Sequence, residues 1–252
     1  MRAFVHITAV PTLFVHHDGM VYSKPGSLIL LLLCVCASHA FAGSPQTAKF
    51  TSSGRQVSYE VFETGDTGSI LILLHGASGP GVPLYRDQAT YFSDHGYTVL
   101  LLHYFDATGS STPSDKNYAI WEKTVRDLII EARKNPAWAD RKFALIGFSL
   151  GASVALAAGS QKAPVAAIAD WYGSLPDLFF EQRKGMQPLL ILHGQQDPII
   201  PVVNAQQLMR LCEMEHYSCE SHFYAGEGHG FSDASLQDAD QRTLDFFKRK
   251  LK

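Results

Sequence analysis

Three short stretches of the chain place reactive side chains where an acyl-transfer reaction needs them. The first is Gly147-Phe148-Ser149-Leu150-Gly151, a G-x-S-x-G. A serine hydroxyl is a weak nucleophile at neutral pH, so a base must take its proton and a carboxylate must hold that base in the right tautomer. A glycine two residues to either side removes the side chains that would collide in the sharp strand-to-helix turn that presents such a serine. The second stretch, HGQQDPIIP, carries Asp197, and the third, YAGEGHGF, carries His229. Serine, acid and histidine follow one another in the order this type of turn calls for. Acyl transfer also develops negative charge on the carbonyl oxygen, which backbone N–H donors stabilise. The Leu150 N–H, next after Ser149, is one expected donor. The other is expected from HGASGPG (75–81), at Ala77, with Ser78 as the alternative.

Other residues compete for these roles. Asp197, standing before Pro198, has the chemistry of an ordinary turn residue or helix cap, and Asp170 is the rival acid one strand earlier. His222 falls within a predicted strand, and His103 and His193 belong to strand ends, where packing or backbone hydrogen bonding is the expected role. Gly76, Gly79 and Gly81 match neither G-x-G-x-x-G nor G-x-x-x-x-G-K-[ST], so no nucleotide loop is expected. H-E-x-x-H is absent, and neither a metal nor another cofactor is expected.

The elements that must position these residues are legible as hydrophobic pattern. Nearly continuous apolar runs at 69–76, 98–105, 142–149, 165–173 and 188–194 each end in glycine or polar residues, as strands buried on both faces of a parallel sheet do. Helical segments are predicted at about 84–95, 119–134, 150–160, 202–214 and 235–250, and a last strand at SHFYA (221–225). Before them, KFTSSGRQVSYEVFE alternates around Gly54 and reads as a hairpin. The expectation is an α/β fold: a mostly parallel sheet with helices on both faces, an N-terminal antiparallel hairpin and no separate lid domain. Ligands of such sheets bind beyond the carboxyl ends of the strands, where Ser149, Asp197 and His229 all fall. The long connections 105–118 and 174–187 are expected to shape the site. Tyr85, Tyr104, Phe105 and Trp171 are the aromatic candidates for its pocket, with Tyr118, Trp121 and Phe179 nearby.

The 252 residues, 46% hydrophobic and 18% charged, suffice for one large core. The run LILLLLCVCA followed by SHAFAGS, with Ala40 and Ala42 as small residues at minus three and minus one, reads as a secretory leader cleaved after Ala42. The run is about half the length of roughly 20 residues that a membrane span needs, so no stable anchor is expected after processing. Met20 is expected to be the true start, which shortens the leader, and residues 43–252 are expected to form a single domain. Without residues 1–42, which take away Arg2, Lys24 and Asp18, the formal charge of −3 becomes −4. That balance argues against a nucleic-acid partner. Cys34 and Cys36 leave with the leader; Cys212 and Cys219 remain and are expected to pair in an oxidising compartment, periplasmic or extracellular.

HGASGPG, GFSLG, HGQQDPIIP and YAGEGHGF, in this order and spacing, resemble the α/β-hydrolase superfamily. With HYFDATG after the fourth strand, the chain resembles the dienelactone hydrolase family over about residues 56–250. The family's founding members carry a cysteine nucleophile, where this chain has Ser149. The resemblance implies Ser149 as nucleophile, Asp197 as acid and His229 as base, the same roles the residues give unaided. The expected activity is hydrolysis of a carboxylic ester, lactone or related small acyl compound. A thioesterase, acyltransferase or peptidase would use the same residues, and a catalytically silent binding protein would keep the fold without the activity.

Overall fold

A computed structural model describes residues 45–63 and 68–252; the expected leader, with Met20 and the Ala42 cleavage site, lies outside these residues. The chain opens with a hairpin, β1 (Gln46–Ser52) and β2 (Arg55–Phe62), turned through Ser53 and Gly54, both at positive φ. Alternating elements follow: β3 (Ile70–Leu74), α1 (Pro83–Asp94), β4 (Thr98–Leu102), α2 (Asp115–Ala132), β5 (Phe143–Phe148), α3 (Leu150–Ser160), β6 (Ala167–Trp171), α4 (Asp177–Glu181), β7 (Leu189–Gly194), α5 (Val203–Met214), β8 (Cys219–Tyr224) and α6 (Asp233–Lys250). The strands form one sheet in the order β1-β2-β4-β3-β5-β6-β7-β8, parallel from β4 to β8 and antiparallel at the hairpin end. This is the α/β architecture the hydrophobic pattern predicts.

Continuous apolar runs are needed because both faces of the sheet are covered. In β3, Ile70, Ile72 and Leu74 face α2, α3 and α5 through Val125, Leu128, Val154, Ala155 and Leu208. Leu71 and Leu73 face the other way, toward α1 and α6 through Ala89, Phe92, Leu244 and Phe247. Each such buried leucine or phenylalanine contributes about 1.5 to 3 kcal/mol. The sheet order reverses at β3: the chain runs from β3 outward to β4, then crosses back to β5 on the other side. Such a switch point opens a crevice beyond the carboxyl ends of the two diverging strands. The loop after β3 (75–82) and Ser149 after β5 lie there.

Several boundaries differ from the pattern. Helix α2 starts at Asp115 rather than near 119, because the Ser114 side chain accepts the Asn117 N–H at 3.2 Å and caps it. Strand β4 ends at Leu102; residues Tyr104–Ala107 form a 3₁₀ turn closed by Gly109 N–H to Phe105 O at 2.7 Å. The short helix α4 lies within what reads as an open connection.

Cys212, at the end of α5, and Cys219, at the start of β8, form a disulfide with Cα atoms 6.1 Å apart and a sequence separation of 7. For a loop of this length, chain entropy gives about 2 to 3 kcal/mol of stabilisation. The Cys212→Ser/Cys219→Ser protein is therefore expected to lose that amount in urea unfolding; an unchanged midpoint would show that the bond contributes nothing.

A second stability prediction concerns α6. Asp240 is buried against Gln88 of α1, and both Asp240 Oδ1 and Gln88 Oε1 lack hydrogen-bond partners. Burial pushes the Asp240 carboxyl up to about 6 from 3.8, opposed by Gln88 and His95. The native state thus keeps a proton between pH 4 and 6 that the unfolded chain has released, so stability falls as pH rises through that window and the full penalty stands above it. Asp240→Asn, whose NH₂ can donate to Gln88, is expected to raise stability at pH 7 by roughly 1 to 3 kcal/mol and to flatten the melting temperature between pH 4 and 6. Thermal melts at both ends of the window check this.

Candidate active site

Ser149 caps the amino end of α3 with φ 54° and ψ −118°, a conformation open to few residues other than glycine. The turn is tight because β5 and α3 nearly touch. A Cβ on Gly147 would sit 2.5 Å from the Ala152 backbone, and one on Gly151 would sit 2.1 Å from the Leu74 carbonyl oxygen. No side chain fits at either place, so the two glycines let the serine stand at the tip. The Ser149 N–H donates to Trp171 O at 2.9 Å, which ties the tip to β6.

The three reactive side chains meet there. Ser149 Oγ lies 2.7 Å from His229 Nε2, and His229 Nδ1 lies 2.7 Å from Asp197 Oδ2. A carboxylate only accepts, so Nδ1 carries the proton and donates it to Asp197. Nε2 is then left as the acceptor for the Ser149 hydroxyl. Asp197 is held in turn: its Oδ1 accepts the N–H groups of Ile199 and Ile200 at 2.8 and 2.9 Å. Its side chain is fully buried, whereas His229 keeps 20% of its side-chain surface open. The carboxylate is shielded while the imidazole reaches the crevice.

The loop after β3 borders the same space. Gly79 N–H donates to Gly76 O at 3.1 Å, closing a turn that leaves Ala77 and Ser78 exposed. The Gly76 carbonyl also accepts from His75 Nδ1 at 2.9 Å. Burial pushes His75 down to about 4, so it is neutral and its Nδ1–H holds that carbonyl. In a trans peptide the next N–H, that of Ala77, points opposite to the Gly76 oxygen. Leu150 N–H, at the first position of α3, has no partner within its helix. Neither N–H donates to a backbone oxygen among the described residues.

Of the rival residues only His193 comes near Asp197, with Nε2 3.4 Å from Oδ2, and neither it nor the others reach Ser149. Asp170 is buried, its Oδ1 accepts the Gly173 N–H at 2.8 Å, and burial pushes it up to about 6 against the pull of His193. His229 is bonded to Asp197 and not to it. His193 Nε2 donates to Ile200 O at 2.8 Å, His103 pairs with Glu60 at 2.9 Å, and His222 lies on β8 at 4.0 Å from Asp238.

Two of the expected pocket residues are corrected. Trp171 is fully buried, with its indole N–H donating to Thr243 Oγ1 at 3.2 Å and its ring 4.9 Å from Phe148. Strand alternation turns it toward α6 and away from the site. Tyr104 is also fully buried, stacked on His75 at 4.4 Å with its O–H donating to His75 O at 2.8 Å. Phe105 is half-buried and edge-on to His75 at 4.7 Å, and Tyr85 lies over Gly76. Sequence reasoning missed Tyr172. At φ 48° its backbone leaves the strand pattern, and its ring packs 5.1 Å from that of His229. Nothing in residue type marks that turn. A separate cavity of about 540 Å³ opens between α4 and α5, lined by Leu175, Phe180, Leu208 and Met214 among others. No residue of the Ser149 constellation lines it.

Comparison with known proteins agrees with this architecture. The profile of the dienelactone hydrolase family matches residues 71–251. The chain belongs to the dienelactone hydrolase family. It is a hydrolase of that family's α/β fold. Among solved structures, a dienelactone hydrolase from Anabaena variabilis superposes with a TM-score of 0.68 at 17% identity, covering 83% of this chain and 100% of that one. A dienelactone hydrolase-like promiscuous phosphotriesterase from metagenomic libraries gives 0.70 at 15% identity, with 83% and 100% covered. The acylaminoacyl peptidase of Pyrococcus horikoshii gives 0.69 at 15% identity, covering 85% of this chain but 42% of that one. At such identities these likenesses concern the fold. No curated protein matches the chain.

Proposed function

We propose that this dienelactone hydrolase family member is an exported serine hydrolase that cleaves a carboxylic ester or lactone through an acyl-enzyme on Ser149. The observation that carries the reading is the hydrogen-bonded series Ser149 Oγ, His229 and Asp197, with 2.7 Å at each step. Ser149 Oγ attacks the carbonyl carbon as its proton passes to His229 Nε2. Asp197 stabilises the imidazolium that results, and the Leu150 and Ala77 N–H groups receive the oxyanion. The tetrahedral intermediate collapses, the C–O bond to the leaving group breaks, and the alkoxide takes the proton from His229. Water then gives a proton to His229 and its oxygen to the acyl carbon, releasing the acid and restoring the serine. These side chains and water complete the reaction.

Export is supported by the apolar run ahead of Ala42 and by the Cys212–Cys219 bond, which persists in oxidising compartments. N-terminal sequencing of the mature protein tests it; a protein that retains residues 28–33 would refute cleavage near Ala42.

The activity is tested by labelling with a fluorophosphonate and by turnover across short and long acyl esters, lactones, thioesters and anilides. Labelling is expected on Ser149, lost in Ser149→Ala, with esters or lactones turned over fastest. Preferred thioester or anilide turnover would move the assignment to a thioesterase or peptidase. No labelling and no turnover would indicate a silent fold.

A further inference from the structure

Helix α1 sets Tyr85 beside the crevice. Tyr85, in its first turn, is 7% exposed, and its ring is set against His75 at the end of β3 (6.1 Å between centroids) and Phe148 at the end of β5 (5.7 Å). Its hydroxyl is thereby fixed relative to both segments that supply the expected oxyanion donors. A Cβ built on Gly76 would lie 2.6 Å from Tyr85 Oη, 3.4 Å from Phe148 O and 3.5 Å from Ser149 Cβ. The tyrosine oxygen and the nucleophilic residue therefore border one small gap, and the gap is open because residue 76 has no side chain.

Tyr104 donates to His75 O and Tyr224 to Asp238, whereas no acceptor engages the Tyr85 O–H among the described residues. Burial raises its pKa above the ordinary tyrosine value, with the Gly76 backbone N–H opposing, so the hydroxyl keeps its proton at neutral pH. The Tyr85 O–H is therefore available to an acceptor that binds beside it. Negative charge developing on a carbonyl oxygen bound beside Ser149 is such an acceptor, and it forms only as the reaction proceeds.

We propose that Tyr85 Oη is a third hydrogen-bond donor to the oxyanion, acting beside the Leu150 and Ala77 N–H groups. This rests on the Ser149 acyl-enzyme reading. A donor aimed at the tetrahedral oxygen strengthens as the carbonyl lengthens and charges, so its loss falls on kcat rather than on KM.

Tyr85→Phe keeps the ring and removes the hydroxyl. With p-nitrophenyl acetate, kcat is expected to fall by about 10²-fold, the range for a single oxyanion donor, while KM stays within about 3-fold. Affinity for an aryl trifluoromethyl ketone, which forms a hemiketal oxyanion on the serine, is expected to weaken by a similar factor, and affinity for the matching methyl ketone to hold. A purely structural role for Tyr85 would not separate the two ketones. Tyr97→Phe, a buried tyrosine at the amino end of β4 and so away from the carboxyl ends of the strands, is the control, and thermal melts establish that each variant is folded. Unchanged kcat in Tyr85→Phe, a change confined to KM, or equal loss for both ketones overturns the proposal while leaving the Ser149 reading intact. Undiminished turnover in Ser149→Ala overturns both.

Discussion

Ser149→Ala is expected to lower kcat for an activated ester by about 10⁶-fold, and His229→Ala by about as much. The size follows from the geometry. With Nε2 2.7 Å from Oγ, the proposed base would take the serine proton without any search, and on that mechanism removing either partner removes the whole covalent route. The residual rate comes from binding and from the oxyanion donors, which neither change touches. For the same reason the double variant should be no slower than either single one. Steady-state turnover of p-nitrophenyl acetate, corrected for its spontaneous hydrolysis, measures all three. Additive losses, or a His229→Ala protein within 10-fold of the parent, would mean that the pair does not act as a unit.

Asp197→Asn is the second large effect, about 10⁴-fold in kcat, and the structure dictates why an isosteric change does so much. The N–H groups of Ile199 and Ile200 both point at Oδ1, so an asparagine must set its carbonyl oxygen there. Its NH₂ then occupies the place of Oδ2 and faces His229 Nδ1. Two donors cannot meet, so the imidazole changes tautomer and Nε2 presents a proton to the serine in place of a lone pair. Asp170→Asn is the matched comparison. Asp170 lies one strand away and is equally buried, but its hydrogen bond goes to Gly173. Activity within about 10-fold of the parent is expected from it. If the two variants exchange these behaviours, Asp170 is the acid.

Both the five-run parallel core and the Ser149, Asp197 and His229 stretches were legible because their signals are local. A strand buried on both faces must be apolar throughout, as Ile70–Leu74 is, and a strand-to-helix turn with no room for side chains must carry glycine, as Gly147 and Gly151 do. The start of α2 was less visible, since Ser114 caps it only through a hydrogen bond to Asn117 that composition does not announce. The aromatic lining was misjudged by one residue. Trp171 and Tyr172 are both aromatic and adjacent, and which of them meets His229 depends on a positive φ at Tyr172 that a tyrosine adopts only when its surroundings force it. Tyr104 was misjudged for a similar reason: the 3₁₀ turn after β4 folds its ring inward onto His75.

The conformation of Ser149 has a consequence for how this sequence can drift. At φ 54° and ψ −118° a residue with a Cβ is strained by roughly 1 to 3 kcal/mol, and glycine at the same place is not. Ser149→Gly and Ser149→Ala both lack the hydroxyl, but only alanine keeps the Cβ, so glycine is expected to melt higher than alanine, by the strain relieved less the extra backbone entropy that glycine loses on folding. Selection for stability without activity would thus favour glycine at position 149. On the proposed mechanism a serine there trades stability for turnover, and relatives released from that constraint would be expected to lose this side chain early.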